Sequence, residues 1–342
     1  MAVLDHWNAV LTARELKRRP VYVELDGRPI CVFRDATGAP RAVADVCPHR
    51  RMSLSRGRTE NGRVVCPYHG WSFGGDGSGE SPGTPKMHCR TEAYEAREGH
   101  RAIWVRAAGA TGPFPEFPAD GFLAISQHRH VIDAPLVVVL DNFCEMEHTG
   151  ATHTIFGYEL HRLSEVTLQV EADDSEVRGV THGPPKHTAW LLRWLMQSRR
   201  DSVFRDNWVT RFGQLYNFHE HEWLHPRTGE PCWFSMKIAN LFAPAGPGRT
   251  IATLLVYAKT RWFGQRFWLA IARPILRHVI EAEVRRDVWM LNNLREKNEE
   301  LPGMKLSRFD KALAPTRDRM KALYLGNTRE PLPVADARPP CA

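Results

Sequence analysis

Two short stretches constrain this chain more than anything else in it: CPHR at residues 47–50 and CPYHGW at residues 66–71. Together they read C-x-H-x16-C-x2-H, with Cys47 and His49 in the first and Cys66 and His69 in the second. Each is a tight loop tip bearing one thiol and one imidazole, so the pair can grip a metal centre from two sides. Zinc also accepts two Cys and two His. Zinc fingers, however, usually put both Cys on one knuckle and both His on a helix. Here each loop mixes the two, and no helical pattern carries the histidines. The arrangement suits a [2Fe–2S] cluster with two Cys on one iron and two His on the other.

The sequence around the loops reads as short strands. VYVEL, ICVFR and RAVADV lie between residues 20 and 46, separated by DGRP and DATGAP, and RVVC and AIWVRA follow. Turn residues between β-rich runs indicate a small antiparallel β domain. It ends in the Gly- and Pro-bearing AAGATGPFPEFPADG, which sets a boundary near residue 115. The expected domains are therefore 1–115 and 116–342. In the second, APLVVVL leads into a helix over about 140–151. The run from Cys232 to Thr260 reads as two strands joined by a Pro/Gly turn. A long helix is expected over about 264–298, kinked or broken at Pro274, and another over about 313–324. Strands followed by long helices give an α+β fold. There is no internal repeat.

A length of 342 residues fits two domains. Apolar and charged fractions of 43% and 25% are ordinary, which leaves disorder to the tail RPPCA. The net charge is +7. Lys and Arg are scattered among Asp and Glu, without the basic run and interleaved aromatics of a nucleic-acid site. The start MAVLDHWNAVL is not a signal peptide, and FWLAIARPILRHVI is too short and too charged to span a membrane. These features place the protein in the cytoplasm as a soluble chain. Seven cysteines form no evident disulfide framework. The loop GGDGSGESPGTP is not a GxGxxG turn, and no nicotinamide or flavin signature is present.

A second constellation is DNFCEMEHTGATH at residues 141–153. His148 and His153 are five apart, about 140° around a continuous helix, so they can share a metal only if the helix bends or ends between them. Gly150 offers that break. Asn142, Glu145 and His148 are spaced by three and would lie along one side of a helix. Cys144 reads as a small buried residue. Asp141 and Glu147 read as solvent-exposed or as structural hydrogen-bonding groups. Two His make an incomplete site, and an iron triad needs a carboxylate. EAEVRRDVWMLNNL offers Glu281, Glu283 and Asp287. His219 and His221 form H-x-H on one face of a strand with no third ligand beside them in sequence, so they read as structural or pocket-lining.

CPHR…CPYHGWSF resembles the Rieske iron–sulfur motif, and N-x2-E-x2-H-x4-H resembles the mononuclear-iron motif of Rieske non-heme iron oxygenases. In that family Asp is usual where Glu145 stands, and Gly is common where Arg51 follows CPHR. The resemblance covers nearly the whole chain. It implies a Rieske domain with a [2Fe–2S] cluster on Cys47, His49, Cys66 and His69, then a helix-grip catalytic domain with Fe(II) on His148, His153 and Asp287. Glu283 is the runner-up for the carboxylate. Asn142 would sit beside the iron. Glu145 would connect an iron-ligand His to His69 of a neighbouring subunit, which implies a ring-shaped homotrimer.

By that resemblance the chain is the oxygenase component of a system that takes electrons from a separate reductase or ferredoxin and uses O2. Its length and loops look like the monooxygenase and demethylase branch. The expected reaction is hydroxylation or oxidative demethylation of an aromatic or other cyclic apolar small molecule, held by residues of roughly 155–260. Ring cis-dihydroxylation is the first alternative, followed by desaturation or oxidative cyclisation. A Rieske electron-transfer protein without oxygenase activity is the remaining reading.

Overall fold

The computed structural model describes residues 3–196, 201–261, 264–297, 299–300 and 303–326. The RPPCA tail lies outside the described residues. The chain divides into two units, one built mainly from Met1–Pro115 and one from Glu116–Phe242 with Gly248–Leu323.

The first unit begins with β1 (Asn8–Thr12), β2 (Val21–Leu25), β3 (Arg28–Arg34) and β4 (Pro40–Ala44). Five short strands follow: β5 (Arg58–Glu60), β6 (Arg63–Val65), β7 (Ser72–Phe73), β8 (Ser78–Glu80) and β9 (Cys89–Arg90). β10 (Ala93–Gly99) and β11 (Ala102–Ala107) complete it. One sheet has the order β1-β11-β10-β4-β3-β2, and β5 to β9 form a second sheet in chain order. Three hairpins close through two-residue loops with both central residues left-handed: Asp26-Gly27, Asn61-Gly62 and His100-Arg101. That backbone matches the right-handed twist of the flanking strands. Cys31, Phe33, Val43, Leu54, Val64, Phe73 and Cys89 form a buried core, which also takes in Cys47, Cys66 and Trp71.

This unit is not set by a single cut. The segment Ala243–Pro247 and Tyr324 group with it. The N–H groups of Asp26 and Gly27 donate to the carbonyls of Pro244 and Ala245 at 2.8 and 3.1 Å. The Tyr324 hydroxyl donates to the buried Asn8.

The second unit contains β12 (Leu123–Ile132), α1 (Leu136–Cys144), α2 (His148–Thr152), β13 (Thr167–Ala172), β14 (Glu176–Gly183) and α3 (Trp190–Met196). It continues through β15 (Val203–Arg211), β16 (Tyr216–Leu224), β17 (Pro231–Gly246), β18 (Arg249–Thr260), α4 (Gln265–Asn292) and α5 (Leu313–Arg319). Its seven-stranded sheet has the order β12-β18-β17-β16-β15-β14-β13, and α4 packs along β12 and β18.

Two helix expectations are corrected. The span 140–151 is not one helix: α1 ends at Cys144, and Glu145 is extended, with φ −118° and ψ 145°. Asn142, Glu145 and His148 therefore do not share the side of a continuous helix. Second, of the kink or break expected at Pro274, the break is absent: α4 continues through it. The proline is exposed, so the carbonyl of residue 270 that it leaves without a helical partner faces water, while Leu269, Ala272, Leu276 and Ile280 hold the opposite side in the core.

Candidate functional site

The two Cys/His loops are close copies of each other. Cys47 N–H donates to the Met52 carbonyl at 2.8 Å, and Arg51 N–H donates back to the Cys47 carbonyl at 2.9 Å. Cys66 N–H donates to the Trp71 carbonyl at 2.7 Å, and Gly70 N–H to the Cys66 carbonyl at 3.1 Å. The fifth residue of each loop is left-handed, Arg51 at φ 59° and Gly70 at φ 73°. Only one loop has the glycine that this conformation favours.

The loops bring all four candidate ligands together. His49 and His69 have ring centroids 4.5 Å apart, and His49 stacks on Trp71 at 4.7 Å. Cys47 and Cys66 are buried, whereas His49 and His69 are exposed. Burial pushes the Cys47 thiol up to about 11, aided by the adjacent Cys66 and opposed by the N–H groups of His49 and Arg50. Those N–H groups are placed to stabilise a thiolate once iron neutralises it. Inner thiolates, outer imidazoles and N–H donors on sulfur fit a [2Fe–2S] cluster.

The second site is built on α2, a helix of five residues. So short a helix has no stability of its own, and side chains hold both of its ends. Glu145 Oε2 accepts the N–H groups of Glu147 at 2.7 Å and His148 at 3.2 Å. At the other end Lys186 Nζ donates to the Gly150 carbonyl at 2.7 Å and also to the His153 carbonyl. His153 caps α2 in extended backbone, with φ −83° and ψ 155°. The chain therefore turns at Glu145 and at His153, not at Gly150. Gly150 lies inside α2, where an added Cβ would meet Leu163 Cδ1 at 3.2 Å and Leu160 Cδ1 at 3.3 Å.

These turns bring His148, His153 and Asp287 together, with ligand atoms within 4.8 Å of one another. Asp287 Oδ1 lies 2.8 Å from His153 Nε2 and 3.5 Å from His148 Nε2. Glu145 Oε1 lies 2.6 Å from His148 Nδ1, so it accepts from that nitrogen and leaves Nε2 facing Asp287. The local charge is negative. Burial opposes protonation of His148, but Glu145 and Asp287 outweigh it and raise its pKa to about 9. Burial would likewise raise Glu145 and Asp287, and the histidines beside them outweigh it and hold both below the usual carboxylate range. The Asn142 amide faces Asp287 and helps to hold its carboxylate ionised, and His153 Nδ1 lies 3.8 Å from Glu283 Oε2. A divalent cation would replace the proton that this set otherwise holds, so the donors fit Fe(II).

The other late carboxylates are occupied. Glu283 accepts from Thr154 N at 2.9 Å, Thr154 Oγ1 at 2.6 Å and Ile155 N at 3.4 Å, which ties down the chain just after His153. Glu281 meets His128 Nδ1 at 2.6 Å and Arg285 Nε at 2.6 Å. Asp141 pairs with the buried Arg317, and Glu147 accepts from Ser307 Oγ at 2.5 Å. Burial raises Asp141 to about 6, with Arg317 opposing. Cys144 is buried, and burial pushes its thiol up to about 12.

His219 and His221 do have a third group beside them. Asp206, fully buried on β15, pairs across to His221 on β16. It lies 2.9 Å from His219 Nδ1 and 3.5 Å from His221 Nε2. Burial would raise Asp206, and the two histidines outweigh it and keep it ionised. His219 Nε2 also donates to the Phe143 carbonyl at 3.2 Å, anchoring the end of α1. Both histidines line an open pocket, about 650 Å³ of empty space with its solvent-filled mouth included, with His148, His153, Asp287, Phe143, Met146, Phe156, Ile238, Leu254, Ile280 and Val284. Asp206 does not line it. All three members of the His148 set thus face open, mostly apolar space, whereas the Asp206 set reaches it through its two histidines alone. Asp206 and Lys186 had no sequence signal, because strand register and chain reversal bring them in.

Residues 6–95 match the family model described as "Rieske [2Fe-2S] domain". The chain is 35% identical over 157 residues to chlorophyllide a oxygenase of Chlamydomonas reinhardtii, covering 43% of this chain and 24% of that protein. It is 28% identical over 228 residues to the oxygenase component of chloroacetanilide N-alkylformylase of Rhizorhabdus wittichii, covering 61% and 62%. The matches thus span less than two thirds of these relatives' lengths. The crystal structure of dicamba monooxygenase bound to dicamba has the same fold, with a TM-score of 0.75, 15% identity and coverage of 94% of this chain and 97% of that one.

Proposed function

From a chain that carries a Rieske [2Fe–2S] domain, and whose relatives and fold neighbours are oxygenase components of Rieske oxygenases, we propose a terminal oxygenase component. It would hydroxylate or oxidatively demethylate an aromatic or other cyclic apolar small molecule. The observation that carries this reading is the His148, His153 and Asp287 set opening on a mostly apolar pocket. The fold match over nearly the full length of dicamba monooxygenase supports the monooxygenase and demethylase branch.

Cys47, His49, Cys66 and His69 would hold the cluster, and His148, His153 and Asp287 the Fe(II). Loaded in this way, the protein gains a one-electron store and a centre for dioxygen activation. The chain's own residues do the positioning. Glu145 fixes the ring of His148, and Glu283 fixes the chain beyond His153. Phe143, Met146, Phe156, Ile238 and Leu254 give the substrate an apolar bed and exclude water from it. Asn142 places its amide beside Asp287. We assign cluster binding to residues 1–115 and iron binding and catalysis to 116–342.

No nicotinamide- or flavin-binding pattern occurs in the sequence, which supports a separate reductase or ferredoxin as electron donor. The homotrimer rests on the family resemblance alone, in which Glu145 would link to His69 of a neighbouring subunit. Among the described residues no helix is long and apolar enough to cross a membrane, and we place the enzyme in the cytoplasm.

The test is analysis of iron and acid-labile sulfide, followed by oxygen uptake with a surrogate reductase across a panel of cyclic substrates. Three irons per chain and substrate-dependent uptake are expected. A colourless protein without sulfide would overturn the cluster, and two irons per chain would overturn the oxygenase reading.

A further inference from the structure

The first half of α4 is apolar on both sides. Leu269, Ala272, Leu276 and Ile280 are buried. On the opposite side Phe267, Ile271 and Ile275 are 73%, 50% and 39% exposed, with exposed Ala270 and Pro274 between them. Spacings of four residues align these side chains as one stripe. A helix at the edge of a soluble protein normally turns charged groups outward at those positions.

The stripe continues onto α3. Trp194 meets Trp268 edge to face, with centroids 4.7 Å apart. Trp190, Leu191 and Trp194 are 72%, 40% and 53% exposed. Six large apolar side chains on two touching helices exceed the scattered singles expected of a surface.

The stretch of chain that carries the α4 stripe is basic, while the exposed Asp120 lies next to Gly121, which accepts from Gln265 at the start of α4, and the exposed Asp201 follows α3. No Asp or Glu occurs from Pro231 to Ile280, a span that includes Lys259, Arg261, Arg266, Arg273 and Arg277. Arg261, Arg266 and Arg277 are exposed. Arg273 is turned inward and donates to the Ile125 carbonyl at 3.0 Å.

We propose that this face of α3 and α4 docks on an anionic lipid bilayer. Aromatic and aliphatic side chains on the outer face of a helix, with arginines beside them, are the features of a helix lying in the plane of a membrane surface. The arginines reach lipid phosphates while their stems cover the apolar boundary. A second copy docking the same face about a two-fold axis would instead bring like charges together. No helix among the described residues can cross the bilayer, so the contact is peripheral. Farther along, α4 also supplies Ile280, Val284 and Asp287 to the cavity, so docking would hold the helix of the cavity wall against the lipid.

The experiment is sedimentation of the purified full-length protein with vesicles of phosphatidylcholine alone or mixed with phosphatidylglycerol, at low and high salt. The protein is expected to pellet with the mixed vesicles at low salt and to be released by high salt. Tryptophan emission should shift to the blue on binding. A Phe267→Ser, Ile271→Ser, Ile275→Ser variant is expected to lose at least about tenfold in partitioning. An Arg266→Glu, Arg277→Glu variant should lose as much on anionic vesicles only. Both should keep the wild-type melting temperature and cluster absorption. Absence of binding to mixed vesicles, or wild-type binding by the Ser variant, overturns the proposal. So does a concentration-dependent self-association that the Ser variant abolishes without any vesicle binding, which would make the face a contact between copies of the chain.

Discussion

Replacing Glu145 by alanine removes two contacts with separate magnitudes. One is the acceptance of the Glu147 and His148 N–H groups, which caps α2. A lost cap of this kind costs about 1 kcal/mol. The other is the contact of 2.6 Å to His148 Nδ1, which orients a candidate iron ligand. Carboxylates behind a ligating histidine are worth about 10- to 100-fold in metal affinity, or about 1.4–2.7 kcal/mol. Glu145→Ala should therefore weaken iron binding about 10- to 100-fold and lower the stability of the metal-free protein by at least about 1 kcal/mol, since the buried pair with His148 is lost along with the cap. Glu145→Gln keeps one oxygen acceptor and loses the charge, so its iron affinity should fall between wild type and Ala. The visible absorption of the cluster should be unchanged in both. Competition with a graded iron chelator measures the affinity, and urea unfolding followed by circular dichroism measures the stability. Wild-type iron affinity in both variants would refute the positioning argument. Turnover at saturating iron then separates two roles. Recovery would leave Glu145 as a positioning residue only, and a persistent loss near completion would support its proposed link to His69.

Other outcomes follow from single residues. Arg51→Gly relieves a left-handed arginine at φ 59°. A gain of about 1–2 kcal/mol, offset by about 0.5–1 kcal/mol of backbone entropy, should raise the melting temperature; a lower one would refute the account. Gly157→Ala combines φ +93° with a Cβ only 2.2 Å from Thr149 Oγ1. It should cost roughly 2–5 kcal/mol and disturb α2, and an unchanged urea midpoint would contradict that. His221 is held neutral by burial, with Asp206 opposing and His219 assisting, and its pKa is pushed down to about 4. The unfolded chain takes up this proton near pH 6.5, whereas the fold refuses it until about pH 4. This contribution is therefore lost as pH falls through that window, by about 3 kcal/mol at most. The stability difference between wild type and His221→Gln should move in favour of the variant on acidification, and a pH-independent difference would count against it.

The Cys/His loops were legible because their chemistry is local: ligand type and spacing suffice, and the short strands around them end in turn residues. The pair His148 and His153 was legible, but not the means of bringing them together. Gly150 is the obvious breaker in sequence, yet the break depends on Glu145 reaching two N–H groups and on Lys186 reaching two carbonyls from 33 residues or more away. Asp287 and Glu283 are four apart on one helix face. They differ in what lies opposite each, because Thr154 takes Glu283 and the two histidines meet Asp287. Asp206 was invisible for a related reason, since the register of β15 on β16 sets its place.

Pro274 has a mechanical consequence. It has no amide to donate, so one rung is missing from the hydrogen-bond ladder of a helix about 42 Å long. The rung falls between Phe267 and Ile271 on one side and Asp287 on the other. Amides before it can open and exchange without unravelling the segment that carries Asp287. Hydrogen exchange should divide α4 there, fast at residues 266–273 and slow over 280–291. Pressure on the outer end of the helix then reaches the segment of Asp287 through the packing of Ala272, Leu276 and Ile280 and not through that rung.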